Sequence, residues 1–522
     1  MKYTKFLFFV PAVLMLACSS EKKSDDAEAT EEEEKAVVEE VVNPLPDTVY
    51  QSVEKMKYSV EIVDSETSGK LTSLKDLYAG SKSIMTFRVG SKRQGNFEGR
   101  VDTVPTDFVV DWMIETDADR DDHRLGPWGG GTGWTGQPLY VEWPDSVAKK
   151  LKSMNLVNAE FTGNEVMIGS LCGKVYFLNH QTGKQTREPI YVGNVIKGTP
   201  SFDPTYNGNL YVGHGTPAHQ PFGAVVVNLF ENKVSHVFGE DPKAQRRWGA
   251  YDSSPVRVGQ FLFRPSENGG IYKFLIEPGN LKLHSVLRYT VDGLAPGMES
   301  SMAVYGNYGF TGDNRGNLVA FNLETMKPVW YYSLGDDIDA SPVLMVEDGK
   351  PYLYVGCEID IQQRGYAVFA KIDATNGNEV WKIEPEGRRR QDGKKHFDGG
   401  FYSTPAFGTG DCEGLLFTNM VKNTSGCNGV FMAIDRKDGN VVYELPLKFY
   451  AWSSPVTYTT PGARTFVVTA DCSGNLYLID GKKGEIITTK HVGNNFESSP
   501  CAIGNSLIIG SRSNGIFKVT LK

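Results

Sequence analysis

The sequence predicts an all-β protein, an eight-bladed β-propeller of four-stranded antiparallel blades, and three observations predict it. A phrase centred on Ser-Ser-Pro recurs, each return opens the same run of short strands and tight turns, and Gly is abundant, at 56 of 522 residues, while long apolar helical stretches are missing. Aligned on the proline, the phrase marks Pro138, Pro200, Pro255, Met302, Pro342, Pro405, Pro455 and Pro500, with Met302 in one proline slot. These eight markers lie 40 to 63 residues apart, the period of a propeller blade. Apolar content of 40% and aromatic content of 11% are ample for a core. A chain this long exceeds the usual ~100–200 residues per domain, so it either divides or repeats.

Each marker opens an apolar strand, then a second such as YLYVG or TFVVTA, a Gly-containing turn, a third such as NLYLID, and a fourth. The last two are clearest in AKIDATNGNEVWKIE at 370–384, AIDRKDGNVVYELP at 433–446 and LIDGKKGEIITT at 478–489. In each, an Asp and the Gly four residues later make a tight turn between paired strands. An aromatic four residues past that Gly, Trp381 or Tyr443, is placed to wedge between neighbouring blades. Trp330 holds the same slot, although Met326 replaces its turn Gly. From Trp330 to Pro342, Tyr443 to Pro455 and Thr488 to Pro500 the spacing is 12 residues, so the fourth strand and its exit loop keep one length in three blades.

These marks, roughly A-x-D-x-x-T-G-x-x-x-W followed by S-S-P, resemble the repeat of the pyrroloquinoline-quinone-type (PQQ-like) propellers. That family includes quinoprotein alcohol dehydrogenases and the propeller lipoprotein of the outer-membrane barrel-assembly machinery. The resemblance covers about residues 85–522 and implies fold more than function, because repeat residues pack blades and touch no substrate.

Closure is a separate expectation. After Pro500 the chain supplies three strands without a fourth, and an unpaired edge is a liability. The segment FVVDWMIETD at 108–117 sets Trp112 in the context of Trp381, so it is expected to pair with the C-terminal strand and close the ring. MTFRVGSKRQGNFEG at 85–99 resembles the lead-in before a first blade, and 44–84 reads as a short cap or extra strands. The expected organisation is therefore a leader at 1–17, a tether at 18–43, a cap and lead-in at 44–104 and the propeller at 105–522.

The leader carries Lys2 and Lys5, then an apolar run too short to span a bilayer, then Ala17 before Cys18. LMLACSS resembles a bacterial lipobox, which implies cleavage before Cys18 and lipidation there, anchoring the protein in the membrane. Ten acids against three bases between Glu21 and Val42 describe an extended, self-repelling tether. An acidic run behind a lipidated Cys leaves either face of the outer membrane open as the address. Beyond RRRQDGKK at 388–395 no basic face is visible, so nucleic acid is not an expected partner.

In a propeller the loops from fourth strand to first, and from second to third, share one face. The residues three before each marker sit there beside the axis: Thr135, Lys197, Asp252, Glu299, Asp339, Tyr402, Trp452 and Glu497. Asp252, Glu299, Asp339 and Glu497 are acidic, and Trp248, Tyr402 and Trp452 add aromatic walls, so a ligand-binding funnel is expected at this face. No metal ligand set, catalytic residue or cofactor-binding residue is singled out. GPWGGGTGWTG at 126–136 lacks the helix a phosphate loop needs and reads as a packing or rim loop; His214 and His219 read as ordinary loop residues.

Quinoprotein dehydrogenases stack their cofactor against a disulfide of adjacent cysteines, and neither a Cys-Cys pair nor a C-x-x-C-H haem motif occurs here. PQQ with calcium is therefore not expected. The sequence favours a non-catalytic cell-envelope scaffold with a protein or peptide partner. A lipoprotein that binds carbohydrate, such as a glycan, or another small molecule in the funnel is the first alternative, and a quinone-dependent dehydrogenase the second.

Overall fold

The computed structural model describes residues 44–522 except 96, 98, 122–125, 135, 393 and 394. The leader, Cys18, the tether and Thr135 lie outside the described residues. Eight antiparallel sheets follow one another along the chain. The first blade is Leu139–Glu142, Asn164–Gly169, Lys174–Leu178 and Ile190–Tyr191, with helix Asp145–Ser153 inserted after its first strand. Blades two to seven begin at Ser201–Phe202, Val256–Val258, Ala303–Tyr305, Val343–Glu347, Ala406–Phe407 and Val456–Thr459. In the eighth, Cys501–Ile503, Ser506–Gly510 and Gly515–Leu521 are joined by Phe108–Glu115, paired antiparallel from Phe108↔Leu521 to Glu115↔Gly515. The 44–84 region adds a strand: Met56–Ile62 pairs along Asn280–Val291 and gives the third blade a fifth member.

Sheets pack face to face with their neighbours, as in the cluster of Phe417 and Phe431 with Val467 and Ile479 between blades six and seven. The repeated aromatic locks this packing. Trp330, Trp381 and Tyr443 each donate to a backbone carbonyl in the next blade's third-to-fourth turn, those of Ala374, Arg436 and Gly481, at 3.2, 3.0 and 2.7 Å. Trp112 does the same across the closure, to the His180 carbonyl at 3.1 Å. The ring also lies on the turn Gly of the receiving blade. At Gly439, φ is +79° and an added Cβ would stand 2.8 Å from the Trp381 indole. Gly439→Ala is accordingly expected to cost about 2–3 kcal/mol from strain and overpacking together. Gly414→Ala, where a Cβ meets nothing within 4 Å, should leave a urea denaturation midpoint unmoved.

The Ser-Ser-Pro phrase has two jobs. Its first hydroxyl residue ties the strand to its own blade: Ser253 Oγ donates to the Pro265 carbonyl and Ser498 Oγ to that of Gly510. The second accepts from the preceding blade. Ser254 N–H donates to Ser301 Oγ, Ser301 to Ser341, Ser341 to Thr404, Thr404 to Ser454 and Ser454 to Ser499, at 2.9 to 3.1 Å. Ser499 N–H then reaches the Gly136 carbonyl, and Gln137 N–H reaches Thr199 Oγ1, carrying this belt into the first two blades.

The lead-in fills the centre of the ring. Ile84 bridges to Tyr140, the Met85 carbonyl accepts from Phe202, the Ser91 carbonyl from Val304, the Lys92 carbonyl from Leu344, the Gly99 carbonyl from Thr459, and Arg100 N–H donates to Gly504. Two arginines, each 0% exposed, complete the circuit. Arg88 donates to the Pro405 and Pro455 carbonyls, and Arg93 to the Met302 and Ser254 carbonyls, at 2.8 to 3.0 Å. One short segment thus touches the innermost strand, or the marker that opens it, in all eight blades.

Of the six cysteines within the described residues, all are free thiols, and four of them are buried.

Candidate functional site

On the face where fourth strands return to first strands, three of the pre-marker residues, Tyr402, Trp452 and Glu299, gather around Trp134. Tyr402 and Trp452 stack at 4.9 Å between centroids and 22° between planes. Trp134 meets both edge-on, at 5.1 and 4.8 Å. Its indole N–H donates to Glu299 at 3.1 Å. The void these rings leave, bounded also by Phe87, Asp339 and Glu497, is ≈ 10 Å³, about room for one water. Trp134 comes from the Gly-rich loop that the sequence assigns to packing, and here that loop reaches the axis. Its signal was the Trp standing four residues before Pro138, among the pre-marker aromatics.

The carboxylates fall into groups. Asp252 and Glu299 are joined by Glu267, contributed by the second-to-third turn of blade three, and oxygens of all three lie within 4.8 Å of one another. Lys197 Nζ stands 2.5 Å from Asp252. Burial pushes the Asp252 and Glu267 carboxyls up, against the pull of that ammonium. Asp252, Glu299 and Glu267 in turn hold the Lys197 ammonium up, although burial works against it. Three oxygen donors could hold a hard cation, and Lys197 already brings a positive charge to them.

Asp339 belongs to a second group with Asp337 and Glu358. Burial first, and then repulsion from neighbouring carboxylates, raises all three well above the carboxylate range; the repulsion on Asp337 comes first from Glu299 and Asp360, and that on Asp339 and Glu358 first from Asp337. Glu497 stands apart, gripped through both oxygens by Arg512 at 3.0 Å. Trp248, half-buried on the loop that carries Asp252, stays outside the aromatic stack. Repeat position alone identified Asp252, Glu299, Asp339, Glu497, Tyr402 and Trp452. It could not identify Glu267, Asp337 or Glu358, which stand outside the pre-marker position. Both histidines of the HGTPAHQP turn are occupied structurally. His214, pushed down to about 4 by burial, faces the Val192 carbonyl and the Gly223 N–H, and the His219 carbonyl accepts from Asn194.

The second group gives a pH prediction. An acid with a raised folded pKa binds its proton more tightly folded than unfolded, so its contribution is present at low pH and lost as pH rises through the raised value. Stability should therefore fall as pH rises from the ordinary carboxylate range of about 4 toward neutrality. Asp339→Asn should flatten that slope and raise the melting temperature near neutral pH but not near about pH 4. A slope identical to wild type in a thermal scan series would contradict the assignment.

No protein-family model and no curated protein matches the chain. Solved structures do. A europium-containing methanol dehydrogenase aligns with a TM-score of 0.56 at 12% identity, covering 85% of this chain and 99% of that one. Quinohemoprotein alcohol dehydrogenase from Comamonas testosteroni aligns at 0.57 and 13%, covering 85% and 81%. BamB from Moraxella catarrhalis aligns at 0.49 and 15%, covering 79% and 100%. What this chain shares with the two dehydrogenases is the fold.

The dehydrogenase likeness raises the question of how much room the axis leaves for a flat cofactor. A planar tricyclic group needs an open slot at the axis, whereas Trp134 fills that position against Tyr402 and Trp452 and leaves ≈ 10 Å³. The backing disulfide of adjacent cysteines is missing from the sequence as well.

Proposed function

We propose that the protein is a non-catalytic cell-envelope lipoprotein, anchored through Cys18, whose propeller serves as a scaffold for a protein or peptide partner. The observation that carries this reading is the filling of the axis by the chain itself, by Arg88 and Arg93 among the first strands and by Trp134 at the funnel face. A scaffold needs the rim and faces. The rim offers Val380, Val441 and Val442, 40 to 51% exposed on the outermost strands of blades five and six. An open groove of ≈ 1200 Å³ between those blades is lined by Tyr352, Lys371, Phe407 and Arg436. Exposed apolar residues beside such a groove support a docking surface.

The test is proximity labelling in the native host with the full chain fused to a labelling enzyme, comparing wild type with Val380→Asp/Val442→Asp. An envelope protein labelled by wild type and lost from the variant, with unchanged melting temperature, is the expected result. A labelling pattern the variant leaves unaltered, or one that vanishes only on Cys18→Ala, would move the function away from this surface.

The stacked pair Tyr402 and Trp452 favours the glycan reading as the alternative, because flat aromatic walls suit sugar faces. It requires Trp134 to leave the axis. Titration with glycans followed by Trp fluorescence separates the two readings.

A further inference from the structure

Away from the axis, between blades two and three on the funnel face, lies a cavity of ≈ 370 Å³. That volume falls in the range of small-molecule sites, and its lining combines aromatic with charged groups. Phe222 and Tyr251 form its apolar part, with Arg246, Arg247, Glu240 and Asn268 around it. Two features are not accounted for by packing. Tyr251 is 2% exposed, and its hydroxyl, beside Tyr272 and Asn268, completes no hydrogen bond of full geometry with either. Arg246 Nη1 is likewise buried and without a partner.

Internal pairing removes one acid from the balance. Asp241, which also lines the cavity, accepts from Tyr272 at 2.8 Å and from Arg288 at 2.5 Å, so its charge is already met. Glu240 accepts from Gln220 at 3.0 Å and remains the one unneutralised acid against two arginines. Arg246 is also held in place. Its backbone N–H donates to the Asn268 carbonyl at 3.1 Å, and its guanidinium lies on Gly297, where any Cβ would stand 1.4 Å from Nη1. A fixed guanidinium loses little freedom on binding, which favours recognition of an anion.

We propose that this cavity binds a small organic acid, a carboxylate carried on an apolar, preferably aromatic, body. Arg246 supplies the countercharge, Tyr251 Oη the neutral donor, and Phe222 the flat wall for the body. Charge-assisted hydrogen bonds are the strong ones, and burying an unpaired hydroxyl is costly unless a ligand completes it. This goes beyond the scaffold reading and stands whether or not that reading does.

The experiment is isothermal titration of the full chain with phenylacetate, with phenylacetamide as the neutral isostere and inorganic phosphate as the bare anion. Saturable binding of phenylacetate is expected, with phenylacetamide and phosphate each weaker by about tenfold or more. Arg246→Gln should erase the preference for acid over amide. Tyr251→Phe should weaken phenylacetate several-fold while leaving that preference in place. Both variants are checked for an unchanged melting temperature, and Arg247→Gln serves as a second charge variant if Arg246→Gln fails to fold. The proposal is overturned by any one of three results: no saturable binding of phenylacetate, equal binding of acid and amide, or equal binding of phosphate and phenylacetate.

Discussion

Arg93→Ala is expected to destabilise the propeller by about 3–5 kcal/mol, because several buried acceptors lose their donor at about 1–3 kcal/mol each. Arg93 bonds Met302 O with Nε, Ser254 O with Nη2, and Phe87 O and Thr86 Oγ1 with Nη1. Its removal strands acceptors from blades three and four and from the lead-in itself, where water cannot reach them. Burial pushes Arg93 down to about 10, against the opposing pull of Tyr78 and Asp76, so the fold carries the desolvation cost of a cation still protonated at neutral pH and offsets it through these carbonyls. Arg93→Lys should recover only part of the loss, because one ammonium cannot match the planar fork that reaches two blades at once. Arg100→Ala is the control, since that side chain is exposed. Urea unfolding provides the measurement. A midpoint for Arg93→Ala within about 0.5 kcal/mol of wild type would mean that the central segment only fills space.

Phe108→Ala should cost a similar amount, about 3–5 kcal/mol, through the cavity it leaves. Phe108 is 0% exposed and packs in one cluster with Tyr140, Val519 and Leu521, so it pins the closing strand to blade eight and toward blade one. The strand is further held by Thr520 Oγ1 donating to Asp111 at 2.6 Å and by Lys518 at 3.3 Å. Loosening it exposes the edge of Gly515–Leu521, so aggregation on heating should accompany the lost stability. Val109→Ala, at a position 39% exposed on the same strand, should do neither. Light scattering recorded with the melting curve tests both halves; equal behaviour of the two variants would show that the closing strand bears no special share of the ring.

Architecture was legible because a propeller blade is written locally. The Asp-to-Gly turn, the aromatic four residues on and the proline marker are each short-range signals, and similar blades repeat them often enough to outweigh the exceptions at Met302 and Met326. The wedge of Trp381 against Gly439 is therefore readable from spacing. The hydroxyl belt was half-visible: Ser-Ser-Pro announced itself, but its partner sits one blade away, and only closed sheets bring Ser301 beside Ser254.

The candidate site was legible to the same extent. Position three before each marker identifies Asp252, Glu299, Asp339, Tyr402, Trp452 and Glu497 because the fourth-to-first loop has a regular length. Where a loop breaks the repeat, the reading stops. Trp134 and the arginines of the 85–99 segment come from stretches with no counterpart in other blades, so no internal comparison could say that they would fill the axis.

The sequence by itself determined the number of blades, the order of their strands and the ring of residues facing the axis, since these follow from a periodic pattern and from hydrogen bonds between chain neighbours. Tertiary structure alone decided whether the axis is open. That outcome depends on contacts between residues hundreds of positions apart, such as Arg88 with Pro455, where packing and the need to satisfy buried carbonyls select one arrangement that no local pattern encodes.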